Sequence, residues 1–141
     1  MRFRYTEYEM GRGQVVYRPT LPMTLECGSV QIPVIDALVD TGADQTVLPL
    51  SFAVAFGFRF DLNHDGEKCH GAGGGHFRVF ASPKPIHFIL EQEGSRTIRW
   101  TGSACFTLHQ PTILLGHKGC LEYLDIGFHG KKKILEVHQA A

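Results

Sequence analysis

The 141-residue sequence has no continuous apolar stretch long enough for a signal peptide or a bilayer span. A soluble, cytoplasmic protein with no membrane partner is therefore expected. The sequence also lacks net charge, with 14 basic and 14 acidic residues. Its one short basic run, at residues 131–133, is typical of a solvated hairpin. This balance gives no electrostatic reason to expect a nucleic-acid partner.

No Cys-x-x-Cys pair occurs among the four cysteines, so a redox motif or zinc knuckle is not indicated and free thiols are expected. Histidine is more frequent, with eight residues. Three of them, His64, His70 and His76, lie near Cys69. Their spacing matches no helical i, i+4 pair and no finger pattern, so we expect no metal site. Metal binding through these four residues stays open as a weaker alternative.

The composition indicates one mostly β domain. A chain of this length has room for one core, and hydrophobic residues make up 43% of it. Sixteen glycines and seven prolines separate short stretches of β-branched and aromatic residues. We place the domain at residues 15–138, after an N-terminal arm or leader at 1–14 and before a tail at 139–141.

Local patterns predict the positions of the elements. Pro19 and Pro22 restrict the first predicted strand to an edge or a bulged position. Ser51 is expected to cap a short helix that Gly57 ends, and a second short helix is expected near residues 118–123. The glycine-rich segment 71–75 predicts the tip of a hairpin. Further strands are expected at residues 15–26, 30–39, 86–91, 97–106, 124–128 and 134–137.

An Asp-Thr-Gly triplet, formed by Asp40, Thr41 and Gly42, follows the nearly continuous apolar end of the strand predicted at 30–39. A three-residue string alone is a weak signal. Here it continues as Ala-Asp-Gln-Thr-Val-Leu at residues 43–48. Two further motifs follow downstream, Ile-Leu-Leu-Gly at residues 113–116 and Leu-Glu-Tyr-Leu-Asp-Ile at residues 121–126. In this order, over about residues 19–137, the pieces resemble the retropepsin-like aspartic protease family.

The resemblance implies a single-lobe acid-protease β-barrel with one or two short helices, active as a homodimer on a peptide or protein substrate. It implies that Asp40 supplies half of a catalytic carboxylate pair. Thr41 would hydrogen-bond the partner's backbone, and Gly42 would let backbone approach the carboxylates. Ala43 and Asp44 would receive the substrate main chain. No metal or organic cofactor is implied.

Two further segments have counterparts in the family. Leu115 and Gly116 correspond to an apolar pair and glycine that support the catalytic loop. Viral members commonly follow this glycine with Arg-Asn, whereas this chain has His117 and Lys118. A protonated His117 could replace the arginine as the partner of Asp44.

The hairpin tip occupies the place of the family's flap, which closes over an extended peptide. Its residues Gly71, Ala72, Gly73 and Gly74 are therefore expected to contact substrate. A plain flexible loop and a phosphate cradle are the alternatives for this segment. The cradle lacks the following helix and the Gly-Lys-Ser/Thr ending that hold a nucleotide.

Hydrolysis of a peptide bond without a metal needs both a base and an acid, and two carboxylates that share one proton supply both. The motif is not repeated in the chain, so the second Asp40 must come from another copy across a two-fold axis. We therefore predict an aspartic endopeptidase. The alternative is a catalytically silent protease-fold dimer that binds peptides or partner proteins.

Overall fold

A computed structural model describes residues 1–71 and 74–141 of the chain. These residues form 14 strands, one α-helix and one 3₁₀ helix, so the predicted mostly β character is confirmed. The strands before the α-helix are β1 (Arg2–Arg4), β2 (Thr6–Glu9), β3 (Val15–Arg18), β4 (Thr20–Cys27), β5 (Val30–Val39) and β6 (Val47–Pro49). After α1 (Leu50–Ala55) come β7 (Glu67–His70), β8 (His76–Ala81), β9 (Ile86–Leu90), β10 (Ile98–Gly102), β11 (Cys105–Thr107), β12 (Leu114–Leu115), the 3₁₀ helix (Leu121–Tyr123), β13 (Leu124–His129) and β14 (Ile134–Gln139).

The strands form a nine-stranded sheet, a three-stranded sheet and a two-stranded sheet. The large sheet has the order β10-β9-β4-β5-β12-β6-β11-β8-β7. The two-residue strand β12 lies between β5 and β6, parallel to β5 and antiparallel to β6. Leu115 pairs with Val39 in this register. The end of β5 is therefore held by a strand that is distant in sequence.

Strand β5 has the bounds that its sequence predicted, Val30–Val39. A turn at Gly28, whose φ is +61°, precedes it and uses the conformational freedom of glycine. The strand alternates between exposed and half-buried residues at first and then enters the core, where Ala37 is fully buried and Val39 is 4% exposed. This burial gives Asp40 a rigid platform.

Two predicted strands are divided in the structure. The one expected at residues 15–26 breaks at Pro19 into β3 and β4. A register shift between Leu21 and Met23 places Pro22 at a bulge, as predicted. The strand expected at 97–106 breaks after Gly102, which packs so tightly that a Cβ would lie 2.1 Å from the Gly119 oxygen. Backbone packing between distant segments ends that strand.

The predicted cap of α1 is wrong. The helix begins at Leu50, its N-cap residue is Pro49, and Ser51 lies inside the first turn. Proline has its φ near −60° already, so Pro49 leads the chain into the helix without a side-chain cap. Gly57, with φ +84°, follows the helix as predicted and donates its N–H to the Val54 oxygen at 3.0 Å. The second predicted helix is the 3₁₀ turn at Leu121–Tyr123.

The core joins the nine-stranded and three-stranded sheets. Phe88 stacks on Trp100 with ring centroids 5.2 Å apart, and the Trp100 indole N–H donates to the Gly119 oxygen at 2.9 Å. All four cysteines are free thiols, as predicted. Burial raises the pKa of Cys120 to about 12, so this thiol stays protonated and inert. The fully buried side chains come from both sheets and include Leu21, Leu25, Phe88, Phe106, Leu115, Leu135 and Val137.

Residues 1–14 pair with the rest of the chain. β1 joins β14 at the edge of the three-stranded sheet, and β2 forms a hairpin with β3. The Met1 amine donates to the Val137 oxygen at 2.9 Å. The basic run 131–133 is exposed in the turn between β13 and β14, as predicted. Across the described ranges, no helix combines the length and apolarity that a bilayer crossing requires.

Candidate active site

Asp40 lies directly after β5, in a turn held by backbone hydrogen bonds. Its N–H donates to the Leu115 oxygen at 3.1 Å, and its carbonyl oxygen accepts the Ala43 N–H at 3.2 Å. The carboxylate Oδ1 accepts the Gly42 N–H at 2.9 Å. Asp40 is half-buried, so the fold holds this residue in place and leaves part of it accessible to solvent.

Gly42 lies close to that carboxylate. A Cβ at this position would be 3.3 Å from Asp40 Oδ1, closer than ordinary van der Waals contact. Glycine therefore lets the backbone N–H reach the carboxylate oxygen without crowding it. Thr41, between the two, is exposed.

His117 holds the turn through its ring and its backbone. Its Nε2 lies 2.7 Å from the Thr41 carbonyl oxygen, and because a carbonyl only accepts, Nε2 carries the hydrogen. Its backbone N–H donates to the Ala43 oxygen at 3.0 Å, and Lys118 N–H donates to the Asp44 oxygen at 2.9 Å. The His117 ring thus contacts the Thr41 backbone rather than the Asp44 carboxylate, which is exposed.

Leu115 and Gly116 pack under the turn. Leu115 is fully buried in the core. A Cβ on Gly116 would lie 2.2 Å from the Gln45 oxygen, so only glycine allows this approach. Gly116 N–H donates to Oγ1 of the fully buried Thr46 at 3.2 Å. The role of Thr46 was not predicted from the sequence, although a polar residue next to an apolar strand was the available signal.

A cleft of about 360 Å³ lies over the Asp40 turn, with the β7–β8 hairpin on its other side. Of the residues expected to contact substrate, Asp44, Ala43 and Gly71 line it. Gly74 lies in the hairpin turn and donates its N–H to the Gly71 oxygen at 3.0 Å. The other two residues expected to contact substrate, Ala72 and Gly73, lie outside the described residues.

Several cleft residues were not predicted from the sequence. Phe77 and Val79 alternate along β8 and so share one face, which was the available signal. The other residues come together only in the fold. They are Gln45 and Val47 after the turn, Cys69 and His70 on β7, and Gln110 and Leu114 before and in β12.

The histidine cluster considered from the sequence is divided in the structure. His64 Nδ1 lies 2.8 Å from Asp61 Oδ2, and that contact is separate from the hairpin. His70 and His76 pair across the hairpin, with ring centroids 4.4 Å apart. In the part of the chain that the structure describes, no group of three or more His, Cys, Asp or Glu side chains is arranged to hold a metal.

Comparison with solved structures identifies the class of fold. A retropepsin-like aspartic protease from Rickettsia conorii matches with a TM-score of 0.55 and 18% identity, over 98% of each chain. The EIAV protease, solved with the inhibitor HBY-793, matches with a TM-score of 0.46 and 23% identity, over 79% of this chain and 88% of that one. The sequence matches no protein-family model and no curated protein.

The likeness to the Rickettsia structure spans nearly the whole of both chains. The chain therefore has the retropepsin-like single-lobe fold, and the fold predicted from its sequence motifs is confirmed.

Proposed function

We propose that the chain is one subunit of a homodimeric aspartic endopeptidase. A water molecule held between the Asp40 carboxylates of two copies attacks the peptide carbonyl. One carboxylate takes a proton from the water while the other protonates the carbonyl oxygen, because two adjacent carboxylates share a single proton. Neither a metal nor an organic cofactor takes part.

The observation that carries this proposal is the constraint on Asp40 at the base of a cleft. Asp40 Oδ1 accepts the Gly42 N–H at 2.9 Å, and the Asp40 backbone N–H donates to the Leu115 carbonyl oxygen. Fixed positions of this kind lower the barrier, since little reorganisation is needed when the reaction begins. The Gly42 contact is one that any Asx turn can make, whereas the Leu115 contact ties the turn to a strand that is distant in sequence.

The surroundings fit an extended peptide. Ala43 and Asp44 lie beside Asp40 along one wall, and the hairpin forms the opposite wall. Val47, Phe77, Val79 and Leu114 add apolar surface between them. In the proposed enzyme the hairpin acts as the flap, which covers the substrate and excludes water. The apolar surface accepts an uncharged side chain of the substrate.

The test is cleavage of an unbiased peptide library by the purified chain. Asp40→Asn keeps the size of the side chain and removes the carboxylate, so its rate should fall at least about 100-fold. Asp125→Asn, an exposed position on β13, serves as the matched control and should retain the wild-type rate. Equal cleavage by wild type and Asp40→Asn, with both proteins folded by circular dichroism, would refute the proposal.

A further inference from the structure

His70 and His76 face each other at the last register position of the β7–β8 hairpin. Gly71 N–H donates to the Gly75 oxygen at 2.8 Å, which is one of the two hydrogen bonds that a hydrogen-bonded pair of residues exchanges. The next pair along the ladder, His70 with His76, is then of the non-hydrogen-bonded type. Side chains come closest together in such pairs. The register itself brings the two rings to a centroid separation of 4.4 Å.

Both imidazoles are exposed, and their planes are inclined by 60°. Neutral imidazole is a preferred ligand for zinc, copper and nickel. Two such rings on neighbouring strands give a cation two ligands, and water fills its remaining positions. Other histidines have partners in the fold: His64 with Asp61, His87 with Thr101, His117 with Thr41, and His138 with Glu136.

We propose that His70 and His76 form a binding site for a divalent transition cation such as Zn²⁺. The cation links β7 to β8 next to the hairpin tip. His70 also borders the cleft that contains Asp40. A bound cation therefore restrains the hairpin and places positive charge at the edge of the cleft.

A second pair of histidines provides the matched control. His138 Nε2 lies 3.0 Å from Glu136 Oε1, and His129 Nε2 lies 3.5 Å from Glu136 Oε2. In the ladder, His138 and His129 lie on opposite sides of the Gly127–Glu136 pair. These rings bracket the carboxylate instead of facing each other, so they do not form the same site.

The test is calorimetric titration of the 141-residue chain with Zn²⁺ at about pH 7.5, because protons compete with metal ions for ligand nitrogens and this competition weakens as the pH rises. Wild type, His64→Gln and His138→Gln should each bind one Zn²⁺ per chain at the hairpin with the same affinity. His70→Gln and His76→Gln should each bind at least about 10-fold more weakly, because one of two ligands is lost. The double variant should lose this binding.

Hydrogen exchange supplies an independent readout. Zn²⁺ should slow exchange of the β7–β8 amides in wild type and His138→Gln but leave the double variant unchanged. Unaltered Zn²⁺ binding in the double variant, or loss of binding only in His138→Gln, would overturn the site.

The effect of the cation on catalysis rests on the proposed function. Zn²⁺ should inhibit peptide cleavage by wild type and spare the double variant, with each protein compared with its own metal-free rate. If Zn²⁺ binds at the histidine pair and no protein cleaves any peptide, the site stands and the proposed function fails. If wild type cleaves peptides and the double variant binds Zn²⁺ normally, the proposed function stands and the site fails.

Discussion

Gly116 is the residue at which the support of the Asp40 turn is tightest. A Cβ there would meet the Gln45 oxygen at 2.2 Å and the Ala43 oxygen at 2.8 Å. Both contacts are with backbone, which cannot rotate away as a flexible side chain can. The residue that follows, His117, hydrogen-bonds the Ala43 oxygen through its backbone N–H and the Thr41 oxygen through its ring. The position of the turn therefore depends on the absence of a side chain at residue 116.

We predict that Gly116→Ala destabilises the protein by about 3 kcal/mol, because overpacking against fixed backbone forces the chain to shift. Gly130→Ala is the matched control, since a Cβ at Gly130 meets nothing within 4 Å and should change stability by less than about 0.5 kcal/mol. Urea unfolding of both variants measures the difference. Equal midpoints for Gly116→Ala and Gly130→Ala would contradict the packing argument.

The three-stranded sheet of β1, β14 and β13 contains a cluster of opposite charges on its exposed face. Glu136 on β14 contacts His138 at 3.0 Å, His129 at 3.5 Å and Arg2 at 3.7 Å. The hydrogen bond from His138, followed by the positive charge of Arg2, lowers the pKa of Glu136 below its ordinary value of 4.5. This carboxylate joins all three strands of the element.

A carboxyl group with a lowered pKa in the folded state stabilises the fold above its unfolded pKa, and this stabilisation is lost as the pH falls through the folded pKa. We predict that Glu136→Gln is less stable than wild type above about pH 5 and that the difference shrinks as the pH falls toward about 3. Thermal unfolding over this range measures it.

Glu93→Gln, in the turn between β9 and β10, is the control and should keep the wild-type pH dependence. A difference between wild type and Glu136→Gln that stays constant from about pH 3 to about pH 6 would contradict the assigned role of Glu136.

At the scale of the whole molecule, one chain supplies one Asp40 and one cleft that its own β7–β8 hairpin borders. The catalytic mechanism proposed above needs two carboxylates, so it needs two chains related by a two-fold axis. A dimer in which either chain lacks the carboxylate should be inactive. Activity then depends on how chains pair and not only on how many are intact.

We predict that the activity of a fixed amount of wild-type chain falls to about half when an equal amount of Asp40→Asn chain is exchanged into it, since half of the wild-type chains then pair with an inactive partner. Peptide cleavage after dilution, mixing and reconcentration measures this. Exchange with Asp125→Asn is the control and should cause no fall. Undiminished activity after complete exchange with Asp40→Asn, verified by mass-tagged chains, would show that single chains are active.

Elements whose signals are local were predictable from the sequence. The turn at Gly28 and the apolar run after it set the bounds of β5, and Gly57 marked the end of α1. The breaks in the other predicted strands were harder to predict from the sequence. The close contact of Gly102 with Gly119 divides β10 from β11, and these residues are far apart in the chain. The start of α1 was missed because Pro49, rather than a Ser51 side chain, leads into it.

The sequence by itself determined the residue that the proposed chemistry requires, Asp40, and the order of motifs that predicted the fold. The triplet alone is a weak signal, but the motifs are contiguous stretches whose order can be read from the sequence and resembles that of the retropepsin-like aspartic protease family. Only the tertiary structure decided what holds that turn. The Thr41 carbonyl as the partner of His117, the hydroxyl of Thr46 beneath Gly116 and the histidine pair beside the cleft all depend on strand register and on contacts between distant segments.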